Sequence, residues 1–167
     1  MEKGNTFESF LVLMKENFVL ILPNIRSAHN VGAMFRTADG AGVDKIYLTG
    51  YTHCPPHPRL DKVSLGAEKW VPWEYAKQTG RLLKKLKSQG YTIAALEQTP
   101  KSVNIYEWEL QFPLVLIVGN EVTGVNKNLL KYCDSEIELD MKGKKKSLNV
   151  SVAAGIAMYY ISSKNNK

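Results

Sequence analysis

The sequence has few cysteines and no long apolar run, and each shortage excludes a class of protein. Its two cysteines, Cys54 and Cys133, lie far apart in the 167-residue chain, which favours a reduced protein over a disulfide-stabilised secreted one. No apolar segment approaches the roughly 20 residues that a membrane span requires. The first residues contain neither the apolar core nor the cleavage site of a secretion signal. We therefore expect a cytoplasmic protein without a membrane partner.

Common nucleotide-binding and metal-binding motifs are also missing. The glycine turn at 119–124 follows an apolar run, but Val125 stands where a phosphate-binding loop would have its lysine. No G-x-G-x-x-G pattern occurs. His53, Cys54 and His57 match no standard zinc spacing and lack a fourth ligand, so we expect no metal.

The length and charge of the chain indicate the number of domains and the kind of partner. A chain of 167 residues fits one domain, residues 1–167, and can bury enough surface to fold without a metal or disulfide. The net charge of +6 favours a polyanionic partner. Lys84, Lys85 and Lys87 fall in a helical pattern and suggest a solvated face.

Strand and helix patterns alternate along the chain. The first predicted helix ends at about residue 16, and the others cover 30–41, 81–88, 126–131 and 147–162. Residues 51–58 contain three prolines and are predicted to form a loop. The predicted strands cover 18–22, 44–49, 91–96, 113–118 and 135–139. This alternation predicts an α/β fold, a mostly parallel sheet with helices on both faces. Ligands then bind at the carboxyl ends of the strands, in segments 23–30, 96–101, 119–125 and 139–149.

The first of these segments leads into a helix with two notable polar residues. Asn30 can cap the helix by accepting free backbone N–H groups, or it can serve a ligand. Arg36 projects from a face of small residues, Gly32, Ala33 and Gly40, which suits close approach by a ligand or another chain. An exposed pair between Arg36 and Asp39 is the alternative.

The later segments contain further candidates. Glu121 lies at the tip of the glycine turn, which is either a ligand-binding turn or an ordinary connection. Ser147 or Asn149 can cap the last helix, and only one of them is needed for that. Lysines approach this helix at positions 142, 144, 145 and 146, and a helix N-terminus beside lysines attracts phosphate. The small-residue body at 153–157 indicates tight helix packing, inside the domain or across a dimer.

Together these segments resemble the SpoU/TrmH family of the SPOUT methyltransferases. The first motif runs over 24–39, the second over 116–125 and the third over 147–154, with further similarity at 55–58 and 66–68. The resemblance covers about residues 18–161 and implies a deep C-terminal trefoil knot, against the general rule that chains do not thread through loops. It also implies a homodimer with the active site near the interface.

The resemblance further implies S-adenosylmethionine as cofactor and RNA, tRNA or rRNA, as substrate. The cofactor positions that it carries over are Leu96, Gly119, Leu139, Ser147 and Leu148. The catalytic positions are Arg36, Asn30, Glu121, Ser147 and Asn149. Candidate RNA-binding residues are Arg26, Lys144, Lys145 and Lys146. The implied reaction is methyl transfer to a ribose 2′-hydroxyl.

The role implied for Arg36 requires adjustment, because a guanidinium stays protonated and cannot act as the base. Its charge can instead position phosphate and hydroxyl groups and stabilise the developing alkoxide, while a substrate phosphate accepts the proton. Many relatives have an added RNA-binding domain or C-terminal extension, and we expect neither here. Two alternatives stay open: an RNA base methyltransferase on the same knotted fold, and a non-catalytic RNA-binding module.

Overall fold

A computed structural model describes residues 16–165 of the chain. The helix predicted before residue 17 falls almost entirely on residues 1–15 and lies outside the described part. Within residues 16–165, no helix combines the length and apolar character needed to cross a bilayer. The single-domain assignment of 1–167 stays a prediction.

One sheet organises the described residues. Its strands are β1 (Phe18–Pro23), β2 (Lys45–Thr49), β3 (Trp73–Ala76), β4 (Thr92–Leu96), β5 (Val103–Asn104), β6 (Leu114–Val118) and β7 (Ser135–Glu138). They lie in the order β3-β2-β1-β6-β4-β7-β5, and every neighbouring pair is parallel. The predicted parallel sheet is therefore confirmed. The short strands β3 and β5 were not predicted.

Helices cover both faces of this sheet, as predicted. They are α1 (Ala28–Ala41), α2 (Pro58–Ser64), α3 (Thr79–Ser88), α4 (Lys127–Leu130) and α5 (Val150–Ser163), with a 3₁₀ turn at Ala67–Lys69. The alternation of side chains along β1 creates the two cores. Phe18, Leu20 and Leu22 pack with residues of α1, α2 and α5, whereas Val19 and Ile21 pack with residues of α3 and α4.

Three predicted helix boundaries need correction. Ser27, not Asn30, caps α1, and its hydroxyl accepts the backbone N–H of Asn30 at 3.2 Å. The last helix begins at Val150 rather than Ser147, with Asn149 as its cap. The segment predicted to be a loop up to residue 58 leads directly into α2, because Pro58 fits the first turn of a helix, where no N–H is required. The trefoil knot stays a prediction.

Candidate active site

A cavity of about 350 Å³ opens at the carboxyl ends of β4, β6 and β7. These three strands are adjacent in the sheet, so the loops that follow them meet at one edge. The cavity is lined by residues from four segments: 96–98, 118–124, 138–141 and 147–153. Three of the four segments predicted to face a ligand therefore line it. The fourth, at 23–30, reaches its rim through hydrogen bonds described below.

The floor of the cavity contains a tight turn that requires glycine. The backbone groups of Asn120 and Gly124 exchange two hydrogen bonds, of 3.1 and 3.0 Å. Gly119 is buried beside this turn, and a Cβ placed on it would lie 2.6 Å from the carbonyl carbon of Gly124. Gly124 itself has a φ of 68°, in the left-handed region. The absence of side chains here brings the backbone close to whatever occupies the cavity.

Glu97 fixes this turn from the neighbouring strand. Its Oε2 accepts the backbone N–H of Val125 at 2.6 Å, and its Oε1 accepts that of Gln98 at 2.8 Å. The carboxylate therefore joins the end of β4 to the end of the glycine turn. Sequence reasoning missed Glu97. The available signal was an acidic residue placed immediately after a strand on the predicted ligand edge.

Glu121 joins the glycine turn to the start of α1. Its Oε2 accepts the backbone N–H of Arg26 at 2.9 Å, and its Oε1 accepts the backbone N–H of Ser27 and the Asn30 side-chain amide, both at 3.0 Å. Partial burial disfavours the charged form of the Glu121 carboxylate and by itself raises its pKa. The hydrogen bonds from Arg26, Asn30 and Ser27 outweigh it and hold the pKa of Glu121 below its ordinary value. The charged Glu121 carboxylate thus binds the N-terminus of α1, where negative charge is favourable.

Asn30 extends this network to the last helix. Its side-chain oxygen accepts a hydrogen bond from Asn149 Nδ2 at 3.3 Å, while Asn149 Oδ1 accepts the backbone N–H of Ser151 at 2.8 Å. Asn30 is buried although polar, and both ends of its amide are hydrogen-bonded. The chain Glu121–Asn30–Asn149 connects the three sequence motifs through side chains at the cavity rim.

The structure brings most of the predicted site residues together. All five predicted cofactor positions line the cavity: Leu96, Gly119, Leu139, Ser147 and Leu148. Glu121 and Asn149 line it too, and Asn30 adjoins it through them.

Other predicted residues lie apart from the cavity. Arg36, Arg26 and Lys144–Lys146 are exposed and do not line it. Within the described residues, no ion pair joins Arg36 to Asp39. The Asp39 carboxylate instead accepts the indole N–H of Trp70 at 2.9 Å.

The histidine and cysteine group on the loop before α2 is compact. The rings of His53 and His57 lie 4.6 Å apart, and Cys54 is a free thiol between them in sequence. Across residues 16–165, no three side chains of histidine, cysteine, aspartate or glutamate are grouped so that they could hold a metal ion.

The lowered pKa of Glu121 leads to a prediction for stability against pH. The folded state binds the charged form of Glu121 more favourably than the unfolded state does. This interaction therefore stabilises the fold fully above the pKa of glutamate in the unfolded chain, about 4.3. This contribution is lost as the pH falls through the lower folded-state pKa. The melting temperature of the wild type should therefore exceed that of Glu121→Gln most near neutral pH, and the gap should shrink in acid. Glu109→Gln, at an exposed carboxylate elsewhere, is the control. A difference in melting temperature that stays constant from neutral to acidic pH would contradict the stabilising role of the charged Glu121.

Comparison with known proteins identifies the family of this chain. The model of the SpoU rRNA Methylase family matches residues 17–159. A tRNA (guanosine(18)-2′-O)-methyltransferase from Aquifex aeolicus is 34% identical over 146 residues, which are 87% of this chain and 68% of that protein.

Solved structures agree with this match. The crystal structure of the A. aeolicus TrmH/SpoU tRNA modifying enzyme has a TM-score of 0.81 and 31% identity, covering 90% of this chain and 76% of that one. An AdoMet-bound rRNA methyltransferase from Sinorhizobium meliloti has a TM-score of 0.82 and 26% identity, covering 92% of this chain and 58% of that one.

The likeness extends over nearly all of this chain but over a smaller share of each relative. The chain spans between 56% and 68% of the length of the first curated relatives that it matches. The matched part includes every strand and the three motifs that meet at the cavity. The chain belongs to the SpoU methylase family.

Proposed function

We propose that this protein is an S-adenosylmethionine-dependent enzyme that methylates a ribose 2′-hydroxyl of RNA. The observation that carries the proposal is the Glu121–Asn30–Asn149 network, which joins the three family motifs at the rim of one cavity. The names of the relatives support it, since the A. aeolicus protein is a tRNA 2′-O-methyltransferase and the S. meliloti structure contains AdoMet. Whether tRNA or rRNA is the substrate stays open.

The cavity lining fits S-adenosylmethionine. Leu96, Leu139 and Leu148 would offer apolar contact to an adenine ring, and Glu97 and Glu121 give the lining negative charge that would suit a positively charged sulfonium. The missing side chain at Gly119 lets backbone groups approach the ligand. When bound, the cofactor supplies an electrophilic methyl group.

The residues around the cavity orient the substrate ribose. The linked amides of Asn30 and Asn149 are held rigidly by Glu121 and by the N-terminus of α5. Ser147 also lines the cavity, and its hydroxyl would hydrogen-bond the ribose. The exposed side chains of Arg26 and Lys144–Lys146 can contact RNA phosphates. The predicted cytoplasmic location accords with such a substrate and stays a prediction.

Cofactor binding is the first experiment. Isothermal calorimetry on purified, chelator-treated protein should show S-adenosylmethionine binding without added metal. Circular dichroism on the same sample checks that the protein is folded. Folded protein that binds no S-adenosylmethionine would overturn the proposal.

Apolar side chains on α5 support a homodimer. Val152, Ile156 and Tyr159 are 50%, 38% and 56% exposed and follow one another at helical spacing, and we call them the α5 strip. Such a strip on a helix otherwise packed against α1 suits contact with a second chain. We expect a dimer mass in light scattering at micromolar concentration. The charge-introducing variant Ile156→Lys should shift the mass towards a monomer, and a wild-type monomer would rule the dimer out.

The dimer also accounts for the position of Arg36. Arg36 lies six residues beyond Asn30 on α1, about 9 Å along the helix axis, and does not line the cavity of its own chain. The α5 strip begins beside the cavity, because its neighbours Val150 and Ala153 line it. Gly155 of α5 lies against Thr37, the residue after Arg36, so we infer that a dimer formed through this strip brings Arg36 of one protomer to the cavity of the other. The complete site then needs both protomers.

A further inference from the structure

Two neighbouring exposed tyrosines have no part in the proposed chemistry, and one of them, Tyr51, lies beside the cavity. Tyr51 follows β2 and is 60% exposed, and Tyr75, on β3, is 51% exposed. They are neighbours, since the Tyr75 hydroxyl donates to the carbonyl of Gly50 at 2.9 Å. Two adjacent exposed aromatic rings form a patch that suits contact with another molecule better than a single exposed ring does.

Tyr51 is tied directly to the cavity rim. The side-chain amide of Asn120 donates to the Tyr51 hydroxyl at 3.0 Å and to the carbonyl of Asn24 at 2.7 Å. Asn120 lines the cavity and immediately precedes Glu121. The Tyr51 backbone N–H donates in turn to Asn24 Oδ1 at 3.1 Å. Tyr51 is therefore held at its backbone and at its hydroxyl while its ring remains exposed.

The loop uses two left-handed backbone conformations to hold this arrangement. Asn24 has a φ of 54°, in the left-handed region that side chains other than glycine seldom adopt. Gly50 has a φ of 65°, and a Cβ there would clash with Asn24 Oδ1. A tyrosine that merely faced solvent would need none of this. The ring is fixed in advance, so a ligand that stacks on it loses little further conformational entropy.

We propose that Tyr51 and Tyr75 form a stacking surface for an unpaired base of the RNA substrate, beside the nucleotide to be methylated. This inference rests on the proposed function. Proteins that read RNA by sequence stack splayed-out bases on aromatic rings. Cations for more distant phosphates lie around the same edge strand, because Lys77, Arg81 and Lys85 line a shallow, open depression on the opposite face of β3 from Tyr75.

The test compares two RNA probes, a short hairpin with a single-stranded loop and the same hairpin with an abasic loop. Wild-type protein should bind the hairpin with bases more tightly, measured by fluorescence anisotropy. Tyr51→Ala should weaken binding of that probe about fivefold or more and leave binding of the abasic probe unchanged. Tyr51→Phe keeps the ring without the hydroxyl and should stay within about twofold of wild type. Arg81→Ala should weaken both probes alike, because it removes a phosphate contact.

The outcomes separate this inference from the proposed function. A wild type without preference for the hairpin with bases, or a Tyr51→Ala variant that weakens both probes equally, overturns the stacking surface. So does a Tyr51→Phe variant as weak as Tyr51→Ala, since Tyr51 would then act only through its hydroxyl. If the wild type transfers no methyl group to RNA but shows the base preference and its dependence on Tyr51, the proposed function fails and the stacking surface stands.

Discussion

Arg36→Ala is expected to reduce methyl transfer to RNA about a hundredfold or more while leaving the affinity for S-adenosylmethionine nearly unchanged. The guanidinium is exposed and does not line the cavity of its own chain, and in the proposed dimer it serves the ribose of the partner's site, so its removal should leave cofactor affinity nearly unchanged. In the proposed mechanism its charge stabilises the negative charge that develops on the ribose oxygen, and the loss of such a group costs about 3 kcal/mol or more. Turnover with labelled cofactor and calorimetry of cofactor binding measure the two effects separately.

Arg59→Ala is the matched control, because Arg59 is also an exposed helical arginine but lies on α2, away from the cavity. It should retain normal turnover. An Arg36→Ala variant with near-normal turnover would remove the charge-stabilisation role and favour the base-methylation alternative. Lost cofactor binding in the same variant would place Arg36 at the cofactor instead of the ribose.

Gly119→Ala is expected to abolish cofactor binding, or weaken it about tenfold or more, in a protein that still folds. The added Cβ would come within 2.6 to 2.8 Å of backbone atoms of Gly124 and Val125, which no rotamer change can relieve. The turn would have to open and break the paired hydrogen bonds between Asn120 and Gly124. Calorimetry of cofactor binding and thermal melts are the measurements.

Gly80→Ala provides the control for this substitution. Gly80 lies in the first turn of α3, where a Cβ would meet its nearest neighbour, on Tyr132, at an ordinary 3.5 Å. Cofactor affinity should be unchanged there. If Gly119→Ala binds the cofactor as well as wild type, the backbone at this turn does not contact it.

The two inactive variants together test whether the site is shared between protomers. A mixed dimer of one Arg36→Ala chain and one Gly119→Ala chain contains one intact cavity and one intact Arg36, on different chains. If Arg36 serves the cavity of the other protomer, this mixed dimer regains activity. If Arg36 serves its own chain, the mixed dimer stays inactive. Coexpression with two different affinity tags isolates it.

Much of the site could be predicted from the sequence, because its residues follow apolar strands. Parallel strands end at one edge of a sheet, and this rule predicts that Leu96, Gly119 and Leu139 lie on the same edge, although it does not predict that their strands are neighbours. The roles within the network depend on contacts between distant residues. Asn30 resembles a helix cap in the sequence because its partners, Glu121 and Asn149, are far away along the chain. Glu97 was missed for the same reason, since its importance lies in its hydrogen bond to Val125.

The elements that were missed have weak local patterns. Strand β5 has only two residues. Strand β3 lies at the edge of the sheet and none of its side chains is buried, so neither strand shows a run of apolar residues. The prolines before α2 favoured a loop, although Pro58 begins a helix. The left-handed conformation of Asn24, which helps to fix Tyr51, has only a weak signal in the sequence, because asparagine adopts it more readily than other residues with side chains but adopts other conformations more often.

The most direct test of the central claim is to identify the product. Purified protein, S-adenosylmethionine with a labelled methyl group, and RNA from cells lacking the gene are incubated together. The RNA is then digested to nucleosides for mass spectrometry. The account predicts label on a ribose 2′-oxygen, and no label when the target nucleotide is supplied with a 2′-deoxy sugar. Label on a base, or methylation of the deoxy substrate, would contradict it.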